Sequence, residues 1–140
     1  MDFGSGKGRV LIAAAQHPFR QVIGVEYARE LHEAALKNIA SARHIKCRDI
    51  TSLNVDAVNF TIPDSRCVFF FYNPFRGQTM ERVLANAYAS LEGSPQLEFF
   101  LIYVNPAMHD VSLRQPGLRA FRCRDWCNIY RWSLNREQIA

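Results

Sequence analysis

The stretch Asp2-Phe3-Gly4-Ser5-Gly6-Lys7-Gly8 constrains the fold more than any other part of the chain, because it sets three glycines within five residues. Glycine enters positive φ without steric cost and lets backbone lie close against another group. A turn built this way marks a place where the chain bends sharply around something. The apolar run at 9–16 then reads as a short helix ended near Pro18.

From there, strand and helix patterns alternate. Residues 21–26, QVIGVE, are continuously apolar and β-branched and finish on an acid, the pattern of a strand buried on both faces. Residues 28–43 place Leu31, Ala34, Ala35, Asn38 and Ile39 along one helical face. HIKCRDI at 44–50 reads as the next strand, and 51–66 as irregular chain with turn chemistry. CVFFFYNPF at 67–75 is a strand running into a loop. TMERVLANAYASL at 79–91 is a helix with Met80, Val83, Leu84, Ala87, Tyr88 and Leu91 inward, stopped at Gly93, Ser94 and Pro95. LEFFLIYVN at 97–105 is a further strand, and 118–134 reads as two strands joined by a turn at Asp125 and Trp126. Such alternation predicts an α/β fold with a mainly parallel sheet flanked by helices and a C-terminal antiparallel hairpin.

Composition narrows the class. With 140 residues, 49% hydrophobic and 21% charged, the chain is expected to form a single domain, 1–140, with a real core. The apolar runs at 68–72 and 99–104 are far short of the ~20 residues that cross a bilayer, so no membrane partner is expected. No stretch has the basic head, apolar middle and small-residue cleavage site of an export signal, and the expected compartment is the cytoplasm. Cys47, Cys67, Cys123 and Cys127 are then expected as thiols. The spacing of His44 and Cys47, or of Cys123 and Cys127, matches no ordinary zinc knuckle, and no metal site is expected. A net charge of +4, with Arg114, Arg119, Arg122, Arg124, Arg131 and Arg136 late in the chain, hints at an anionic partner such as a nucleic acid.

In sheets of this kind ligands bind outside the carboxyl ends of the strands. The residues expected there are Asp2 to Gly8, then Glu26, Asp49, and the run Asn73, Pro74, Phe75. Glu26, eighteen residues past Gly8, is placed to accept from both hydroxyls of a ribose. The dinucleotide fingerprint is G-x-G-x-x-G, whereas glycines at 4, 6 and 8 give G-x-G-x-G, a spacing that disfavours a nicotinamide cofactor. A phosphate-cradling P-loop needs Ser or Thr after its lysine, and Gly8 follows Lys7.

These residues resemble the seven-strand, Rossmann-like S-adenosylmethionine-dependent methyltransferases. DFGSGKG is similar to their first motif, GVE to their second-strand acid, CRDI to a position that often touches adenine, and FYNPF to their fourth motif. The resemblance implies that Asp2, Gly4, Ser5 and Gly6 line the methionine end of the cofactor. It also implies that Gly8 shapes the turn into the helix, Glu26 holds the ribose and Asp49 meets the adenine. NPF further resembles the (D/N)-P-P-(Y/F) motif of enzymes acting on amino nitrogens, with one proline in place of two. There Asn73, Pro74 and Phe75 would grip and stack the target amine.

The implied reaction is in-line displacement at a sulfonium methyl, where positioning does most of the work and no strong general base is required. The methyl acceptor and the oligomeric state are left open. His109 could face the acceptor or be incidental, and Lys7 or Arg9 could meet the cofactor carboxylate. Only Met1, Asp2 and Phe3 precede Gly4, short for a central strand, so the chain is expected to be a fragment or to start late. Two other readings stand beside this one: a non-catalytic domain of the same fold that binds a partner or nucleic acid through its basic late strands, and a nicotinamide-dependent oxidoreductase.

Overall fold

The computed structural model describes residues 1–134, so Arg136 lies outside the described residues. The fold is α/β and Rossmann-like. Seven strands, parallel except for an antiparallel C-terminal pair, are flanked by helices. The chain divides into two compact units, Met1–Phe60 and Thr61–Ala140.

In the first unit, β1 (Asp2–Phe3), β2 (Val22–Glu26) and β3 (Ile50–Asn54) run parallel in the order β3-β2-β1. α1 (Arg9–Ala15) follows the glycine turn, and α2 (Arg29–Ala40) connects β2 to β3. All five residues of β2 are buried, as its β-branched run demands. Leu11 and Ala15 of α1 pack with Val22 and Cys47 into a small apolar cluster. The third strand lies later than the expected 44–50. It starts at Ile50 because pairing with β2 fixes its register, Val22 opposite Ile50 and Glu26 opposite Asn54. The segment 51–66, expected to be irregular, therefore holds most of this strand and a short 3₁₀ turn, Ala57–Asn59, capped by Asp56, whose Oδ1 accepts from Val58 N at 3.1 Å. On α2, Ala35 is buried, and Asn38 is exposed although its periodicity put it inward.

In the second unit, β4 (Cys67–Tyr72) and β5 (Glu98–Val104) are parallel, and β6 (Leu118–Arg124) and β7 (Cys127–Ser133) form the expected hairpin, giving the order β4-β5-β7-β6. α3 (Gly77–Gly93) is longer at both ends than its apolar pattern, burying Met80, Val83, Leu84, Ala87 and Leu91, with Tyr88 half-buried. α4 (His109–Leu113) is a single short helix in the connection between β5 and β6. The core side of this sheet buries Phe69 and Phe71, Phe99, Leu101 and Tyr103, and Tyr130 and Trp132. Each such side chain contributes about 1.5–3 kcal/mol on leaving water.

Candidate functional site

The first unit gathers six of the expected residues at the carboxyl ends of its strands. Asp2 is level with Gly24 and Phe3 with Val25, so the chain leaves β1 beside Glu26. Val25 O then accepts from Gly4 N at 2.9 Å and Ser5 N at 3.1 Å, which pulls the turn onto β2. Gly6 (φ 53°) has left-handed backbone and faces open space on its Cβ side. Gly8 (φ 79°) meets Ala35 instead, where an added Cβ would lie 3.1 Å from the alanine Cβ. The first glycine leaves room for a ligand, and the second lets α1 and α2 approach.

Glu26 ties the turn together. Its Oε2 accepts from Gly6 N at 2.8 Å and its Oε1 from Ala28 N at 2.8 Å, and the residue is 8% exposed. A carboxylate has about four lone-pair sites, so two backbone donors leave both oxygens with acceptor capacity. Asn54, at the end of β3, donates to the carbonyls of Glu26 and Tyr27 and fixes the loop from the other side. Asp2 is also buried. Burial pushes its carboxyl up to about 6, against the pull of the amino terminus and with a further push from Glu26. Ser5 Oγ is buried and has no hydrogen-bond partner among the described residues.

Asp49 is not brought into this group. It precedes β3 rather than following it, at the opposite end of the strands from Glu26, where it accepts from Gln21 Nε2 at 2.9 Å. The acid just beyond the carboxyl end of β3 is Asp56, which the misplaced strand concealed. Two further residues escaped the sequence reading. Gly24 lies under the turn, where an added Cβ would stand 2.6 Å from Leu11 Cδ1 and 2.7 Å from Ser5 Oγ. An isolated glycine in a strand is a signal of such close approach. Tyr27 presents a ring that is 78% exposed directly after Glu26. Lys7 and Arg9 are exposed.

In the second unit, Asn73, Pro74 and Phe75 form the turn that follows β4. Asn73 has left-handed backbone, φ 46°, and its Oδ1 is buried with no hydrogen-bond partner among the described residues. Phe75 packs edge-on to Phe71 at 5.8 Å. His109 belongs to a separate polar cluster: its Nδ1 shares a hydrogen bond with Tyr130 Oη at 2.5 Å, and Asn128 Nδ2 donates to the same hydroxyl at 3.1 Å. Burial pushes the Tyr130 hydroxyl up to about 12, so it stays protonated. Among the described residues no group of His, Cys, Asp and Glu could hold a metal ion, and no helix is long and apolar enough to cross a membrane.

A family model described as a methyltransferase domain matches residues 1–94, and the chain belongs to that family. It is an S-adenosylmethionine-dependent methyltransferase. The seven-strand fold recurs in Escherichia coli yhhF, assigned as a methyltransferase, at 14% identity and TM-score 0.65 over 96% of this chain and 75% of that one. It recurs in the Salinibacter ruber RNA methyltransferase complexed with S-adenosyl-L-homocysteine, at 18% identity and TM-score 0.56 over 96% and 79%. The glycopeptide N-methyltransferase MtfA, complexed with S-adenosyl-L-methionine, gives 18% identity and TM-score 0.57 over 93% and 56%. No curated protein sequence matches the chain.

Proposed function

We propose that the glycine turn and Glu26 hold S-adenosylmethionine, that Asn73 orients an amino nitrogen as methyl acceptor, and that residues 1–140 act as one domain. The observation that carries the cofactor assignment is the Glu26 carboxylate, held by two backbone N–H groups at 2.8 Å with acceptor capacity left on both oxygens. That is what a ribose diol needs. Ser5 Oγ, buried without a partner among the described residues, fits a polar group of the ligand, and the open ground over Gly6 fits its close approach. Gly4 and Gly8 shape the turn. Asp2 is matched to a cationic methionine end, since a positive charge beside it would restore its ionised form. Tyr27 offers a ring on which a purine can stack, and Asp56 takes the adenine role in place of Asp49.

When bound, S-adenosylmethionine supplies a methyl group on a positively charged sulfur. The protein's part is alignment, which can supply roughly 7–11 kcal/mol of the barrier. Asn73 Oδ1 accepts an N–H of the target amine and turns its lone pair to the methyl carbon. Pro74 fixes the turn, and Phe75 gives the amine an apolar wall. The proton leaves to water after transfer, so no strong base is needed. The compartment we propose is the cytoplasm, where thiols such as Cys47, Cys123 and Cys127 stay reduced.

Thermal unfolding with and without S-adenosylhomocysteine tests the cofactor assignment, with NAD as control. At ~100 times its dissociation constant the ligand should stabilise the fold by about 2.7 kcal/mol. Glu26→Ala should abolish the shift. A shift with NAD in place of S-adenosylhomocysteine would sink the assignment.

A further inference from the structure

β6 is the outer strand of the β4-β5-β7-β6 order, and after Leu118 all of its residues are exposed. In a regular strand Arg119 would face one side of the sheet and Arg122 and Arg124 the other, because side chains alternate. A register shift between Ala120 and Arg122 removes that conflict. Arg119 pairs with Arg131, Arg122 with Ile129 and Arg124 with Cys127, three alternate positions of β7. Residues directly opposite each other share a face. The bulge at Phe121 thus brings three arginines into one row. None of the three makes an ion pair among the described residues, whereas Arg131 is paired with Glu98.

The same face continues across the sheet. Arg131 lies opposite Phe100 and Cys127 opposite Val104, which in turn lies opposite Tyr72. Here the central positions are half-buried, in contrast to the fully buried side that carries Leu101 and Trp132. Phe121 is 65% exposed and stands edge-on to Phe100 at 6.2 Å. Tyr72 is 63% exposed at the carboxyl end of β4, and Trp126, 64% exposed, occupies the hairpin turn, where its carbonyl accepts from Asn105 N at 2.8 Å. Blunting an edge strand against aggregation accounts for a bulge and charges. It does not account for exposed Phe, Tyr and Trp rings, which increase that hazard.

Unpaired bases stack on aromatic rings while arginines take the phosphates, and sheet faces carrying both are a recurrent single-strand platform. We propose that this face of the second unit binds a single-stranded nucleic acid, with Arg119, Arg122 and Arg124 on its phosphates and Phe121 and Trp126 stacked on its bases. The bound strand carries the methyl acceptor, an exocyclic base amine, and this clause rests on the methyl-transfer reading of Asn73. Tyr72, on the same face, is the residue immediately before Asn73. A duplex hides the ring faces of its bases, and an anionic membrane has none to stack.

The test is fluorescence anisotropy of a labelled short oligouridylate with the whole chain, with a duplex of equal length and phosphatidylserine vesicles as competitors. Salt is varied between ~50 and ~200 mM. The single strand should bind and should outcompete both. Replacing all three arginines (Arg119→Gln, Arg122→Gln, Arg124→Gln) should flatten the log–log salt slope by about two, at roughly 0.7 per phosphate contact. Trp126→Ala should weaken binding roughly five- to hundredfold and leave the slope unchanged. Equal binding of duplex or vesicles overturns the proposal, and so does a triple variant that binds like the parent while unfolding at the parent's temperature. A thermal shift with S-adenosylhomocysteine but no oligonucleotide binding defeats this proposal alone. Binding without the thermal shift upholds the face and defeats the cofactor reading.

Discussion

The turn after β1 and the turn after β4 both carry the chain off a parallel strand through left-handed backbone, one with glycines and the other with an asparagine. Gly4, Gly6 and Gly8 hold φ of 76°, 53° and 79°, and Asn73 holds 46°. Left-handed backbone is free for glycine and costs other L-residues roughly 1–2 kcal/mol, less for asparagine. The glycine turn therefore offers backbone and empty space, with Gly6 N donating to the Glu26 carboxylate of the neighbouring strand. The asparagine turn keeps a side chain at a conformational cost, which points to the side chain as the working part. Asn105 is the internal control: it takes the same backbone, φ 49°, before Pro106 at the end of β5. Its N–H donates to Trp126 O and its side chain is exposed, so there the asparagine serves the turn alone.

If the glycine turn depends on Glu26, Glu26→Ala has the largest effect. The change leaves Gly6 N and Ala28 N, both half-buried, without their acceptors, at about 0.5–1.5 kcal/mol for each hydrogen bond lost. Denaturant unfolding should show a loss of about 1–3 kcal/mol together with loss of the S-adenosylhomocysteine shift. A loss of ligand response at unchanged stability would show instead that the turn holds itself.

Asp2 tests the same turn through pH. Its folded pKa, about 6, is raised above its ordinary value of 3.8. The stability it contributes is therefore fully present below pH about 3.8 and lost as pH rises through about 6. A shift of about two units amounts to at most roughly 3 kcal/mol. Asp2→Asn should remove this component, so the variant gains stability relative to the parent between pH ~4 and ~7 while binding the cofactor less tightly. Parallel stability-against-pH curves for parent and variant would show that the carboxyl is not held away from water.

Gly24→Ala presses on the turn from below. The added carbon meets Leu11 and Ser5, both buried, and overpacking of this kind costs about 1–3 kcal/mol. The backbone of both turns was legible in the sequence because it is local: the glycine spacing after β1 and the Asn-Pro pair after β4 each declare a left-handed turn, and Glu26 closes an apolar run. The start of β3 was not legible, because pairing with β2 decides it, and the charges at Lys46, Arg48 and Asp49 sit in the connection rather than the strand. That single shift moved Asp49 to the wrong end of the sheet and hid Asp56. The arginine row on β6 was visible only as excess charge, since the bulge that aligns it exists in the pairing and not in the residue order. α4, five residues long, is too short to show helical periodicity.

The smallest effect on stability is expected at Asn73, and it separates the two turns most cleanly. Asn73→Gly suits a left-handed residue and removes a buried acceptor that lacks a partner among the described residues, while adding glycine's freedom to the unfolded chain. These terms oppose each other at a few tenths to about 1 kcal/mol, so the unfolding midpoint should hardly move. Methyl transfer should nevertheless fall sharply, with S-adenosylhomocysteine binding intact, because the acceptor loses the carbonyl that orients it. Asn105→Gly makes the same backbone change where the side chain is exposed, and should leave transfer unchanged. Equal transfer by both variants would mean that Asn73, like Asn105, serves only the turn, and the amine acceptor would lose its support.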